Sequence, residues 1–279
     1  PFHWLAEFYE IIHDNGGFDV IIGNPPYVVY VENKFQYIIN ENFKTKSCAN
    51  LYAFCVEKSH QILSNKGRFG MIVPNSSISA NKMIPLQEIL TKKRLSWISN
   101  YSWRPSKLFE GADMLLAIIL NTYSNESLTY STIYHKWYND FRSTLFKTVH
   151  YSDVTRIIID GSIPKIPSPF VIKLLYKINI ISSGHKLPEV FITNSSCVLY
   201  YFRAVQYWFK ILDKEPKYEE DGVHKVTGEM KPICFTTNDN RDAVIAILSS
   251  SLFFLNYIIW SSCQVVNSRD FGSPVNPRI

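Results

Sequence analysis

The feature that most constrains this chain is an apolar run, Phe18-Asp19-Val20-Ile21-Ile22-Gly23, that stops at Asn24-Pro25-Pro26-Tyr27. Gly16-Gly17 precedes the run, and its length and composition predict a parallel strand buried on both faces. Each proline fixes φ near about −65° and confines the residue before it to extended conformations, so the tetrapeptide is stiff. It therefore holds one amide side chain and one backbone carbonyl in a set orientation at the carboxyl end of a strand. In open α/β sheets that is where ligands bind.

The surrounding pattern extends the α/β reading. Trp4 to Ile12 reads as a short amphipathic helix or strand, and Leu51 to Leu63 places Leu51, Phe54, Cys55 and Ile62 at helical spacing. Asn65-Lys66-Gly67 predicts a turn into the strand Phe69 to Val73, which Pro74 stops. A helix from Pro85 to Lys92 and strands at Trp97 to Trp103 and Met114 to Leu120 follow. This alternation predicts a mostly parallel sheet up to about residue 121. Beyond it, Pro164, Pro167, Pro169 and Pro188 break the chain into short mixed segments. A boundary near residues 122 to 127 divides the 279 residues into a first domain, 1–125, and a second region, 126–279.

Composition narrows the class. With 46% hydrophobic and 19% charged residues the chain is globular rather than disordered, and 15% aromatic residues suit a surface or pocket built from flat rings. Cys48, Cys55, Cys197, Cys234 and Cys263 are odd in number and contain no CxxC pair, which fits a reducing cytoplasm, and neither they nor the histidines, His60 included, have metal-ligand spacing. The net charge of +5 suits a polyanionic partner. Ala243 to Trp260 is long enough to span a bilayer, but Ser249, Ser250, Ser251 and Asn256 make it a broken, buried helix instead, so no membrane is expected.

The motif's chemistry follows from its groups. An amino group conjugated to a ring, such as the exocyclic N6 of adenine, is a poor nucleophile because its lone pair is delocalised. If the Asn24 side-chain oxygen and the Pro25 carbonyl each accept one of its hydrogens, the nitrogen moves toward tetrahedral geometry and its lone pair becomes available. Tyr27 adds a ring on which a flipped base could stack, worth ~1 to 3 kcal/mol. Direct transfer to such a nitrogen requires no covalent intermediate, so the cysteines are read as packing residues.

Asn24-Pro25-Pro26-Tyr27 after its strand resembles the amino-methyltransferases of the N6-adenine type. Phe2-His3-Trp4, Glu7-Phe8 and Gly17-Phe18-Asp19 look like the lead-in of fused type IIG restriction and modification methylases and related phage-defence methylases. Asn50-Leu51-Tyr52-Ala53 and Gly67 to Asn75 look like that family's next helix and strand. The resemblance implies the carboxy-terminal half of a Rossmann-like sheet, S-adenosyl-L-methionine (SAM) as cofactor, double-stranded DNA as partner and a bacterial or archaeal cytoplasmic setting. It places Asn24, Asn50 and Cys55 beside the cofactor, although the family often has an aromatic residue where Cys55 stands, and neighbouring Phe54 would point elsewhere on a helix. Phe109 matches the aromatic that packs on the flipped adenine.

Leu199 to Arg203, Tyr207-Trp208, Ile247 to Phe253 and Asn267 to Asp270 resemble the mixed α+β target-recognition region of the same enzymes. Lys92, Lys93, Arg94 and Lys107, with Lys82 and Arg104 nearby, are candidates for DNA-backbone contacts. The family's glycine-rich turn and ribose-binding acid are not found, so the cofactor-binding half is expected upstream of Pro1, in a longer polypeptide that could also carry a nuclease. The catalytic strand would then be left with an unpaired apolar edge. Two other readings share these residues: an enzyme modifying RNA adenine or protein glutamine, and a DNA-specificity module without catalysis.

Overall fold

The computed structural model describes residues 4–182, 185–205, 207–217, 219–220, 223–224 and 228–272. Phe2 and His3 of the expected lead-in lie outside the described residues. The described residues divide into two compact units that part between Lys173 and Leu174.

The first unit opens with α1 (Trp4–Glu7) and a short helical turn, Glu10–Asp14, followed by β1 (Phe18–Gly23). Helix α2 (Leu51–Ile62) runs directly into β2 (Leu63–Pro74). Then come α3 (Ser76–Ser79), α4 (Ile84–Thr91) with Pro85 in its first turn, β3 (Arg94–Tyr101), β4 (Leu116–Tyr123), β5 (Leu128–His135) and β6 (Tyr151–Asp153). The six strands form one sheet in the order β1-β2-β4-β3-β5-β6. Val56, Val73, Leu86, Leu90, Ile98 and Ile119 are fully enclosed, and α2 and α4 pack on the sheet and on each other.

The sheet is mixed rather than mostly parallel. β1 pairs parallel with β2 and β3 with β5, whereas β2 and β3 each pair antiparallel with β4, and β5 pairs antiparallel with β6. It follows that β1, β2, β3 and β5 share one direction, with β4 inserted against them. β1 is also not buried on both faces. It lies at the end of the strand order with β2 as its neighbour, so Val20 is 57% and Ile22 78% exposed. Among the described residues β1 pairs with β2 alone.

The first unit also continues past the boundary expected near residue 125, because β5 and β6 belong to the same sheet. Ser124 to Ser127 has the composition of a linker but is a tight turn past the start of β3. The Ser124 N–H donates to the Lys93 carbonyl (3.0 Å), and the Lys93 N–H donates to the Ser127 hydroxyl (2.9 Å). The turn anticipated at Asn65 to Gly67 lies inside β2. Gly67 is needed there for close approach, since a Cβ would sit 2.8 Å from the Phe18 carbonyl oxygen.

The second unit opens within α5 (Pro169–Ser182). Its four-stranded sheet has the order β7-β12-β8-β9, from β7 (Phe191–Ile192), β8 (Cys197–Phe202), β9 (Ile211–Leu212) and β12 (Met230–Phe235); β10 (Glu219–Glu220) and β11 (Val223–His224) form a separate pair. α6 (Asn238–Leu248), α7 (Ser251–Trp260) and α8 (Ser268–Phe271) complete it, and Leu199, Phe235, Leu248, Phe253 and Tyr257 share its core. α6 and α7 are bent by 67° at their break, where the Ser250 hydroxyl caps α7 by accepting from the Phe253 N–H. Among the described residues no single helix is long and apolar enough to cross a membrane. All five cysteines are free thiols.

Two positions make the first unit's packing testable. Gly17 has φ +122°, and a Cβ there would lie 2.6 Å from the Ile62 carbonyl oxygen. Gly17→Ala is expected to cost about 2 kcal/mol in a denaturant melt, and an unchanged midpoint would refute this account of the β1 entry. His60, on α2, packs 4.3 Å from the Phe69 ring with Nδ1 2.8 Å from the Val56 carbonyl. Its Nε2 is 3.1 Å from the Asn121 amide, whose nitrogen, turned toward the ring, would satisfy both groups. Burial, with Arg94 adding repulsion, lowers the His60 pKa to about 4. The unfolded chain therefore takes up a proton near pH 6.5 that the folded chain refuses until about pH 4. Stability is complete above pH 6.5 and falls by up to about 3 kcal/mol as pH drops to 4. His60→Gln should flatten that part of the stability–pH curve; an equally steep loss in the variant would exclude His60 as its source.

Candidate functional site

The parallel pairing Ile22 with Gly70 and Gly23 with Met71 delivers Asn24 to Tyr27 alongside the last turn of β2. Pro25 is buried, Asn24 and Pro26 are exposed, and Tyr27 is half-buried. The Tyr27 hydroxyl lies 2.6 Å from Asn24 Oδ1 and 3.0 Å from the Ile72 carbonyl oxygen, and can donate its single proton to either. An amide oxygen has two acceptor positions, so a bond from Tyr27 orients Asn24 and leaves the second position open. Burial raises the Tyr27 pKa to about 12, which keeps the hydroxyl a donor at neutral pH.

The chain leaving the motif is pinned as well. Residues 28 to 30 bond back to residues 49 to 51, with Leu51 N–H donating to the Val28 carbonyl and Tyr30 N–H to the Ala49 carbonyl. The buried Glu57 carboxylate accepts from the Lys44 and Thr45 N–H groups and from the Thr45 hydroxyl at 2.7 to 3.0 Å. These bonds close the intervening loop over α2.

Tyr27 and Phe109 pack against the same cluster, built from Tyr101, Leu108, Ala112, Leu116, Trp137 and Leu145 at the carboxyl ends of β3 and β5. The two aromatics singled out for adenine are thus brought to one place. The Tyr27 ring is partly committed to this cluster and to an edge contact with Tyr52 at 6.4 Å, so Tyr27 is a positioning group for Asn24 as well as a candidate platform.

Asn50 bridges to Val29 and spends its side-chain nitrogen on the Cys48 carbonyl at 3.1 Å. Cys55 lines a groove of about 690 Å³ between β1, Pro26, α2 and the loop carrying Tyr37 and Phe43, and burial raises its thiol pKa. Phe54 lines the same groove instead of pointing away from it, because the groove wraps around α2. SAM needs a carboxylate for its ribose hydroxyls and a glycine turn for its methionine part. The groove lining is mostly apolar and includes no carboxylate. These residues offer a wall for a flat ring and do not form a SAM cradle.

The basic stretch is not one surface. Lys92, Lys93 and Arg94 lie at the start of β3, whereas Lys107 follows its end, about 25 Å further on. Lys92 pairs with Glu88 at 2.9 Å, Arg94 is half-buried with its Nε donating to the Ile89 carbonyl, and Lys107 pairs with Asp113. Of the four, Lys107 shares the end of the sheet that carries Asn24, as does nearby Arg104.

Sequence reasoning missed Arg142. Its guanidinium donates to the carbonyls of Lys107 and Leu108, which directly precede Phe109. The signal was the interleaved basic and aromatic run from Lys136 to Lys147, hidden by placing a domain boundary before it.

Residues 1–109 match the family model described as Eco57I restriction-modification methylase. A Methanocaldococcus jannaschii protein named as a type II restriction enzyme and methyltransferase is 31% identical over 121 residues, covering 43% of this chain and 10% of that protein. Among solved structures, a nuclease-deletion mutant of the Type ISP restriction-modification enzyme LlaGI with a DNA substrate mimic has a TM-score of 0.39 and 17% identity over 49% of this chain and 14% of its own. The Type IIL restriction-modification enzyme MmeI in complex with DNA has a TM-score of 0.40 and 10% identity over 91% of this chain and 45% of its own. The chain spans a tenth of the length of its archaeal relative. The portion that carries Asn24 to Tyr27 and Phe109 is therefore similar to restriction-modification methylases.

Proposed function

We propose that this chain supplies the base-handling part of a SAM-dependent DNA methyltransferase acting on N6 of adenine in a restriction-modification or phage-defence system of the cytoplasm. The observation that carries this reading is the Asn24 amide oriented by the Tyr27 hydroxyl beside the cluster that Phe109 packs on. Residues 1–109, which match the methylase model, contain all three.

An adenine within a duplex cannot reach these groups, so it has to be extruded, at a cost of a few kcal/mol. Its N6 hydrogens would then meet the free acceptor position of Asn24 Oδ1 and the Pro25 carbonyl, which localises the nitrogen lone pair. Phe109 would pack on the base, and the buried Pro25 would keep its own carbonyl fixed. The methyl donor would be held by elements outside this chain, in a longer polypeptide, since the groove lining offers no carboxylate. The second unit is assigned the role of reading the DNA target.

The tests use the longer protein that contains this chain, tritiated SAM, and duplex DNA, RNA and protein substrates in parallel. Asn24→Ala should lower transfer to DNA by about 100-fold or more while DNA affinity stays near wild type. Tyr27→Phe, which keeps the ring but releases the amide, should lower it by about tenfold. Labelling of RNA or protein with none in DNA would overturn the choice of substrate, and full activity in Asn24→Ala would overturn the mechanism. Calorimetric titration of the 279-residue chain with SAM should show no micromolar site; finding one would move the cofactor cradle into this chain.

A further inference from the structure

The segment that follows β5 has no part in the chemistry above, yet it leaves the sheet at the same end as Asn24 to Tyr27, because β1 and β5 run in the same direction. Between residues 136 and 148 it is anchored by three residues. Trp137 and Leu145 are buried in the cluster that Tyr27 and Phe109 pack against, and Arg142 donates to the carbonyls of Lys107 and Leu108. Around these anchors three large rings are exposed: Tyr138 is 65%, Phe141 62% and Phe146 62% exposed, the last with its ring centroid 6.0 Å from that of Tyr101 in an edge contact. Single exposed aromatics are ordinary, but three within nine residues on an anchored segment form a contact surface.

Charge selects the partner. From residue 136 to 150 the chain carries Lys136, Arg142 and Lys147 against one acid, Asp140. Flat rings interleaved with cations suit nucleic acid, where rings stack on or wedge between bases and cations meet phosphates. Continuity with the Phe109 loop places this surface beside the position where a base would be held.

Resting on the reading of the site as a DNA base-handling centre, we propose that residues 138–147 form a clamp on duplex DNA. Tyr138, Phe141 and Phe146 contact the bases next to the extruded adenine, Lys147 meets the backbone, and Arg142 ties the clamp to the loop that positions Phe109. The clamp belongs to the first unit and is separate from the target-reading role assigned to the second.

The experiment again uses the longer protein, with a duplex carrying the sequence found methylated in cells that express it. Tyr138 and Phe141 are exposed and Phe146 also touches Tyr101, so the triple variant Tyr138→Ser, Phe141→Ser, Phe146→Leu, which keeps an apolar side chain on Tyr101, should stay folded at the assay temperature. Its DNA affinity should fall about tenfold or more with an unchanged dependence on salt, because stacking releases no counterions. Lys147→Glu should weaken binding and lower the salt slope by about one. With 2-aminopurine in place of the target adenine, the triple variant should show less of the emission rise that reports an unstacked base. Wild-type affinity and emission in the triple variant, with Asn24→Ala still inactive, would overturn the clamp alone. The same holds if the triple variant loses only a protein partner. A wild-type protein that neither binds nor methylates DNA would overturn the base-handling reading and the clamp with it.

Discussion

The arrangement of the end of the first unit that carries Asn24 to Tyr27 depends on where one proton can go. The Tyr27 hydroxyl faces the Asn24 amide and the Ile72 carbonyl, so a side chain on an exposed turn is referenced to the backbone of a neighbouring strand. That contact exists only because β1 lies parallel to β2 in one register. The register in turn needs glycine at 17 and 67, where β1 approaches the α2–β2 junction too closely for a side chain. The loop beyond Tyr27 is held by the Glu57 carboxylate, so the motif is fixed from both sides.

Much of this was legible in the sequence where the signal is local. β1, α2 and α4 lie close to where periodicity and prolines put them, and Asn24 to Tyr27 stood out because stiffness and chemistry coincide there. What was not legible is long-range. The reversal of β4 depends on its neighbours rather than on its own residues, and the exposure of Val20 and Ile22 depends on which strand flanks β1. Ser124 to Ser127 reads as a linker by composition, and only Lys93, some thirty residues earlier in the chain, makes it a turn inside the sheet. The basic residues 92 to 107 are contiguous in sequence yet separated by the length of β3. Arg142 shows the converse, since its acceptors at 107 and 108 are distant in the chain yet adjacent in space.

Inserting β4 against the direction of its neighbours has an organising effect. Because β1, β2, β3 and β5 still point one way, segments from residues 24, 75, 102 and 136 onward emerge at a single end. The cluster around Tyr101 and Trp137 then welds three of these segments together, through Tyr27, Phe109 and Leu145.

The opposite end of the sheet, where Lys93 is tied to the turn from Ser124 to Ser127, has a practical value. A residue such as Asn125 sits on a short hydrogen-bonded turn about the length of a strand away from Asn24. A fluorophore, a surface tether or a solubilising charge placed there would leave the end that carries Asn24 to Tyr27 free, which makes that turn a natural point for attaching the molecule to anything used to observe it.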